Sequence, residues 1–113
     1  MKKTDIKKLD KLWSLKVKER AKFKCEYCLA GEDKILNSCH IIGRRNRSTR
    51  WDLENGMCLC YSHHMAYDHH LPQHEDIRNE VIGQKRITRL TKKRNVIAKN
   101  QDYETIKEEL CQD

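Results

Sequence analysis

Four cysteine and histidine side chains occur as two closely spaced pairs, Cys25-x2-Cys28 and Cys60-x2-His63. Zinc in structural sites takes four sulfur or nitrogen ligands arranged as a tetrahedron. Two residues three positions apart at a turn or at a helix start can face the same ion. The spacing therefore predicts a structural zinc site that ties together two segments distant in sequence.

Two neighbouring side chains leave the composition of this ligand set open. Cys58 precedes Cys60 by two residues, so on a strand it should point to the same face and could replace a ligand, although core packing is the favoured role. His64 adjoins His63, and adjacent helical positions differ in direction by roughly 100°. We therefore expect His63 to face the zinc and His64 to face a second site. In the remaining alternative, the thiols are simply buried.

The second site would be built from His40, Asn55 and His64, a His-x14-Asn-x8-His series threaded through the zinc pairs. A histidine that is neutral near pH 7 can take a proton from water as a general base. Taken alone, His40 would be an ordinary core or surface histidine, and Asn55 before Gly56 would be a turn residue. Their joint occurrence, at spacings that also fit the zinc pairs, marks a second candidate site beside the zinc.

The elements that must position these residues follow from hydrophobic periodicity and from turn residues. The predicted elements are, in chain order, a helix over 5–24, a strand over 35–42, a polar loop over 43–49, a strand over 57–60, a helix from about 60 to 70, and helical segments on either side of Gly83. The predicted fold class is α+β, with all elements in one domain. An N-terminal helix at 1–24 and a C-terminal helical extension at 71–113 flank a zinc-stapled core at 25–70.

Composition limits the size of the core and the kind of partner. The chain has 113 residues, of which 37% are hydrophobic and 36% charged. So small a core favours a metal as an additional staple. The net charge of +7 and a pI near 9.2 favour a polyanionic partner such as nucleic acid. The N-terminus lacks the pattern of a signal peptide, and no apolar run could span a membrane. We therefore expect a cytoplasmic protein whose cysteines bind metal and do not form disulfides.

Residues 13–64 resemble the zinc-containing form of the HNH, or ββα-metal, nuclease superfamily. The matching elements are Cys25-x2-Cys28, Cys39-His40-Ile41, Asn55 and Leu59-Cys60-x2-His63-His64. The segments LDKLWSLKVKERAKFKCEYC and VIGQKRITRL are similar to the phage recombination endonucleases of the NinG branch, which suggests a role in phage recombination or DNA processing.

The resemblance implies hydrolysis of a DNA phosphodiester with one divalent ion, Mg²⁺ or Mn²⁺, with Ni²⁺ or Zn²⁺ as alternatives. His40 matches the general base, and Asn55 matches the residue that orients its ring from the facing strand. His64 matches a ligand of the catalytic metal, which stabilises the scissile phosphate and the leaving oxygen.

Cys39 departs from the family pattern, which has a metal-binding Asp, His or Glu before the catalytic histidine. A thiolate is soft and poorly matched to Mg²⁺, and strand alternation points Cys39 away from His40. Simple burial is therefore favoured over a role as ligand. Other candidates for the second ligand share a position near the predicted site; they are Asp68, one helical turn after His64, and Asn37, His69 and His70.

Basic residues form two groups that could meet DNA phosphates. They are Arg44, Arg45, Arg47 and Arg50 in the loop after His40, and Lys85, Arg86, Arg89, Lys92, Lys93 and Arg94 in the C-terminal extension, where no acid interrupts residues 85–99. The acidic residues after Gln101 are expected to form a solvated helix end, with competition against DNA as an alternative. Two other functions fit the sequence. One is a non-catalytic zinc-knuckle module that binds nucleic acid, and the other is an adaptor that docks a phage replication, recombination or packaging protein.

Overall fold

The computed structural model describes residues 1–31, 34–98 and 101–112. Its regular elements are, in chain order, α1 (Lys3–Arg20), β1 (Leu36–His40), β2 (Gly56–Cys60), α2 (Tyr61–Asp68), α3 (His74–Ile77), α4 (Gln84–Arg94) and α5 (Tyr103–Leu110). A single turn of 3-10 helix at Leu53–Asn55 precedes β2, and a π-helical segment at Arg78–Ile82 continues α3. The predicted α+β class is confirmed by these five helices and one sheet.

The sheet is an antiparallel pair in which Leu36 lies opposite Cys60 and His40 lies opposite Gly56. One side of it packs against α1, whose buried residues Leu9, Trp13 and Val17 recur at helical spacing and form a cluster with Cys58. This period explains why α1 forms as an amphipathic helix, because each turn adds one apolar side chain to the same stripe.

A second apolar cluster occupies the other side of the sheet and joins it to α2 and α3. It contains Met57 and Leu59 from β2, Tyr67 from α2 and Ile77 from α3. The two strands are therefore covered on both sides, which accounts for the burial of every residue of β2.

Gly56 lets α1 approach β2 closely at the point where the two strands begin to pair. A β-carbon at this position would lie 2.5 Å from Val17 Cγ2 and 2.6 Å from Trp13 Cζ2. Its backbone is extended, so the requirement for glycine is one of space and not of backbone conformation. The absence of a side chain at Gly56 therefore sets how near Trp13 can come to β1 and β2.

The end of α1 differs from the sequence prediction, and the C-terminal helix makes a contact that was not predicted. Helix α1 ends at Arg20 and not at residue 24, because Lys22 and Phe23 adopt a left-handed conformation with φ of 56°. This reversal turns the chain towards Cys25. The described acidic residues after Gln101 are exposed on helix α5, as expected, but α5 also packs on α1 through the buried residues Ile106 and Leu110, a contact that was not predicted.

The break predicted at Gly83 is confirmed, with a φ of +83° between the π-helical segment and α4. In the described ranges, the helices are all too short or too polar to cross a lipid bilayer.

Candidate active site and zinc centre

The two cysteines after α1 lie on a knuckle, a tight turn over residues 25–30. Cys25 N–H donates to Ala30 O at 2.8 Å, and Leu29 N–H donates to Cys25 O at 2.8 Å. Glu26 attaches this turn to β2, because its N–H donates to Cys58 O and its carboxylate accepts from Cys58 N–H at 3.1 Å. The knuckle therefore brings the thiols of Cys25 and Cys28 to the end of β2.

Cys60 and His63 complete the group from the junction of β2 and α2. Cys60 is the N-cap of α2, so His63 follows it by one helical turn. The ligand atoms of Cys25, Cys28, Cys60 and His63 all lie within 4.8 Å of one another. The structure thus brings the four predicted ligands together in a cluster that could hold a metal ion.

The spacing of the ligand atoms matches a tetrahedral zinc site. His63 Nδ1 lies 3.8 Å from Cys25 Sγ and 3.2 Å from Cys60 Sγ, and Cys28 Sγ lies 3.9 Å from Cys60 Sγ. Ligands around one zinc ion at ordinary bond lengths are separated by about 3.6 to 3.8 Å. Three thiols and one imidazole are also the ligand types that zinc prefers, so the donor set fits this ion.

The thiols differ in how easily they ionise. Burial raises the pKa of Cys60, but hydrogen bonds from Ser62 and His63 outweigh it and lower the value to about 6. Burial raises the pKa of Cys58 to about 11. The backbone of Cys58 is hydrogen-bonded to the knuckle, but its side chain packs in the cluster with Leu9 and Trp13. The expectation that it shares the face of Cys60 was wrong, because Cys60 ends the strand and turns towards the knuckle as the cap of α2.

His40 lies at the end of β1, where one residue contacts its ring face and another contacts its Nε2. Its ring stacks on Trp13 with centroids 3.8 Å apart and an angle of 9° between the planes. His40 Nε2 lies 2.9 Å from the carbonyl oxygen of Arg50. A carbonyl can only accept, so Nε2 carries the proton and the lone pair resides on Nδ1. Burial lowers the pKa of His40 below its ordinary value, which keeps the ring neutral.

Asn55 supports the chain after His40 instead of contacting its ring. Its Oδ1 accepts from Ile42 N–H at 2.7 Å, and its Nδ2 donates to Ile42 O at 2.9 Å. Asn55 is fully buried, and these two bonds satisfy its amide. The predicted contact with the imidazole is thus replaced by a clamp on the backbone two residues beyond it, and the ring is held by Trp13 and Arg50.

His64 faces a different direction from His63 and pairs with Asp68 one turn later. His64 Nε2 lies 2.9 Å from Asp68 Oδ2. Its Nδ1 is buried and has no hydrogen-bond partner among the described residues. An imidazole that donates to a carboxylate through one nitrogen and leaves the other without a partner is typical of metal-ligating histidines. The pair is therefore compatible with a divalent ion.

A cleft of about 480 Å³ is lined by His40, His64 and Asp68 together with residues from α1 and β1. Its lining residues are Asp10, Trp13, Ser14, Ser38, Cys39, His40, Gly43, Arg44, His64 and Asp68. His40 and His64 thus meet at one surface although they come from a strand and a helix. The other candidates for a metal ligand, Asn37, His69 and His70, lie outside this lining.

Cys39 lines the same cleft but is only 3% exposed and belongs to the cluster around Met57 and Leu59. Burial raises its pKa far above the ordinary thiol value. Its Sγ lies 3.7 Å from the Asn37 carbonyl. A thiol that stays protonated is a poor metal ligand, so burial accounts for Cys39 better than metal binding does.

Two functional contacts from α1 were missed by the sequence analysis. The sequence placed Trp13 only within the predicted helix over 5–24, whereas its ring also stacks on His40. Asp10 accepts from the guanidinium of Arg50 at 3.0 and 2.7 Å and from Trp51 Nε1 at 2.9 Å. The available signal was an acid three residues before Trp13, in a helix rich in lysine.

The loop arginines have different surroundings. Arg44 lines the cleft, and Arg45 and Arg47 are exposed beside Arg94 in a shallow groove of about 280 Å³. Arg50 was predicted to contact DNA phosphate, but its guanidinium is paired with Asp10.

The basic run of α4 is partly neutralised by acids from the segment before β2. Arg89 pairs with Glu54 at 2.9 Å, and Lys93 pairs with Asp52 at 2.6 Å. Arg86 is half-buried and donates to the carbonyl oxygens of Glu54 and Gly56. Although no acid interrupts this run in the sequence, the fold supplies counter-charge from Asp52 and Glu54. Lys85, Lys92 and Arg94 remain exposed.

Residues 24–71 match the family model described as HNH endonuclease. The matched stretch runs from the knuckle to just beyond α2, so it contains the zinc ligands together with His40, Asn55 and His64. The comparison with curated proteins and the comparison with solved structures each find no match. At the level of the family, an HNH endonuclease domain indicates metal-dependent nuclease chemistry, and the predicted resemblance to this superfamily is confirmed.

Proposed function

We propose that this chain, which carries an HNH endonuclease domain at residues 24–71, is a DNA endonuclease that hydrolyses phosphodiester bonds with a divalent ion. The observation that carries the proposal is the common cleft of His40, His64 and Asp68. A zinc-binding module without catalysis would need the cysteine knuckle and the arginines. It would have no need of a neutral imidazole beside a second histidine–carboxylate pair.

His40 would act as the general base. Its Nε2–H is engaged by the Arg50 carbonyl, so Nδ1 is the atom that can accept a proton from the attacking water. The water oxygen forms a bond to phosphorus, the bond to the departing oxygen breaks, and solvent returns a proton to that oxygen. Because burial lowers the pKa of His40, the base stays unprotonated at neutral pH.

His64, with its partner Asp68, would hold the divalent ion. Such an ion would supply Lewis-acid stabilisation of the scissile phosphate and of the departing oxygen. A second metal, zinc bound by Cys25, Cys28, Cys60 and His63, would have a structural role only. We assign no chemical step to it because all four of its positions are taken by protein ligands.

Phosphate contacts would come from the exposed arginines and lysines. Arg44 lies in the cleft and is close enough to His40 to meet the phosphate that is cut. Arg45, Arg47 and Arg94 line a neighbouring groove that would carry the flanking backbone. Such contacts would be independent of base sequence.

The resemblance to the NinG branch supports a setting in phage recombination or DNA processing. A phage replication, recombination or packaging protein would be a natural partner in that setting. Cleavage of branched DNA in preference to linear duplex would support this assignment, and equal rates on both would count against it.

The direct test is a plasmid nicking assay with the zinc-loaded protein. Wild type should convert supercoiled plasmid to the nicked form with Mg²⁺, Mn²⁺ or Ni²⁺, and EDTA should stop the reaction. His64→Ala should lose activity because its ion is held more weakly, and added Mn²⁺ should restore part of it. Plasmid binding with no cleavage by wild type under any of these ions would instead favour the non-catalytic module.

The salt dependence of DNA binding separates free from paired cations. Replacing the exposed Lys92 and Arg94 by alanine should flatten the plot of log K against log salt by up to about 0.9 for each lost phosphate contact. The matched control replaces Arg89 and Lys93, which removes the same charge from the same helix but from residues already paired with acids.

The control variant should keep a slope close to that of wild type. Fluorescence anisotropy with one labelled duplex, measured from low to moderate salt, gives both slopes. Equal slopes for wild type and the Lys92/Arg94 variant would show that the exposed face of α4 does not meet DNA.

A further inference from the structure

We propose that Asp10 is a positioning residue for His40: it fixes the chain at Arg50, whose carbonyl oxygen holds the imidazole. The inference rests on the proposed function only in taking His40 as the base. Asp10 belongs to α1 and lies outside residues 24–71, so nothing in the matched domain assigns it a role.

The carbonyl that holds the His40 ring belongs to a loop residue, Arg50. Arg50 lies between β1 and the 3-10 turn, in a stretch without a strand or a helix of its own. The carbonyl that accepts from His40 Nε2–H therefore has no sheet or helix ladder to fix its direction. Besides the turn hydrogen bond from Asp52 N–H to Thr49 O at 3.1 Å and the bond from Trp13 Nε1 to Asp52 O at 2.8 Å, its direction depends on contacts of the loop side chains.

Asp10 supplies such side-chain contacts to two consecutive residues of this loop, Arg50 and Trp51. Its two oxygens accept from Arg50 Nε and Nη2 at 3.0 and 2.7 Å, and Oδ1 also accepts from Trp51 Nε1 at 2.9 Å. A bidentate pair between a guanidinium and a carboxylate restricts direction as well as distance. The side chains of Arg50 and Asp10 are 16% and 25% exposed, so solvent screens the pair only partly.

Asp10 and Trp13 both belong to α1, and both act on the ring of His40. Trp13 supports the ring face of His40, and Asp10, three residues earlier, determines the position of its hydrogen-bond acceptor. The tautomer follows from that acceptor, since only a ring with its proton on Nε2 can donate to it. Loss of the carboxylate should therefore free the tautomer of His40 as well as its orientation.

The test uses the full, zinc-loaded chain with Asp10→Asn and a matched control. Asn keeps the size of the side chain but cannot hold a guanidinium with two acceptor oxygens. We expect kcat for plasmid nicking to fall by about 10- to 100-fold with KM little changed, as for other groups that orient a functional histidine. Glu19→Gln removes an exposed carboxylate from the same helix and should behave as wild type.

A spectroscopic readout distinguishes positioning from general stability. In nitrogen-15 spectra of the His40 side chain, wild type should show the single tautomer protonated at Nε2, and Asp10→Asn should show a mixture. Wild-type kcat and an unchanged tautomer in Asp10→Asn would overturn the inference. If wild type cuts no DNA, the proposed function fails, while the tautomer comparison still decides the role of Asp10.

A mutant cycle keeps the inference testable if Asp10→Asn is poorly folded. Arg50→Lys retains the backbone carbonyl and the positive charge but loses the bidentate geometry, so it should lower kcat by a similar factor. If Asp10 acts through Arg50, the double variant should lose no more than the worse single variant. Independent, multiplying losses would contradict the proposed route, and so would wild-type kcat and tautomer in Arg50→Lys.

Discussion

His40→Ala is expected to lower the rate of DNA cleavage by about 10²- to 10⁴-fold, the usual effect of removing a general base. The reason is specific to one nitrogen. The Arg50 carbonyl occupies Nε2–H, so Nδ1 is the free basic atom, and alanine offers no substitute for it. The measurement is the initial rate of plasmid nicking at saturating Mg²⁺ with equal amounts of folded protein.

The fold and the zinc content of His40→Ala should stay close to those of wild type. The variant loses one ring stack on Trp13, which costs about 1 kcal/mol. His69→Ala is the matched control, since His69 is exposed and lies outside the cleft lining. A wild-type rate for His40→Ala would refute the assigned base, and the non-catalytic module would then be the better explanation of the chain.

Cys60→Ser is expected to release zinc and to unfold the protein. A structural zinc site contributes roughly 10–16 kcal/mol of apparent binding free energy, which exceeds the ~5–15 kcal/mol that stabilises a typical domain. Cys60 lies at the junction of β2 and α2, so its replacement removes the ligand that joins the knuckle to the helix that carries His63 and His64. The start of the helix is not the cause of the loss, because the Cys60 side chain makes no cap hydrogen bond and serine is a favoured N-cap residue. Zinc per chain, measured by elemental analysis, and the thermal midpoint from circular dichroism are the readouts.

Two other cysteines provide the controls for this experiment. Cys58→Ala should lose some stability by removing a buried sulfur, but it should keep one zinc per chain. Cys111 is exposed, and Cys111→Ser should change neither readout. Treatment of wild type with a strong zinc chelator should reproduce the effect of Cys60→Ser. Unchanged melting after complete removal of zinc would rule out a structural role for the site.

The parts of the site that could be predicted are those encoded by short spacing. Local turn and helix geometry decides where the zinc ligands point, because the members of each pair, Cys25 with Cys28 and Cys60 with His63, are only three positions apart. The separation of His63 from His64 follows from helix geometry in the same way, since Asp68 meets His64 one turn later.

The parts that were missed depend on which distant segments meet. The side-chain amide of Asn55 was expected to contact the His40 ring. The connection between the strands instead places the backbone of Ile42 against this amide. Asp10 has no neighbour in sequence that indicates a role, because its partners Arg50 and Trp51 arrive only when α1 docks. The same holds for the basic run of α4, whose counter-charges Asp52 and Glu54 lie before β2.

The close approach at Gly56 has a consequence for the order in which the molecule folds. The pairing of β1 with β2 joins residues 16 to 24 positions apart, whereas the contacts of α1 with Gly56 join residues 39 and 43 positions apart. Helix α5, which is synthesised last of the described elements, then covers α1. Contacts that close long loops form late. We therefore expect the strand pair to form before α1 docks, so that His40 takes its place in β1 before Trp13 comes to lie against its ring.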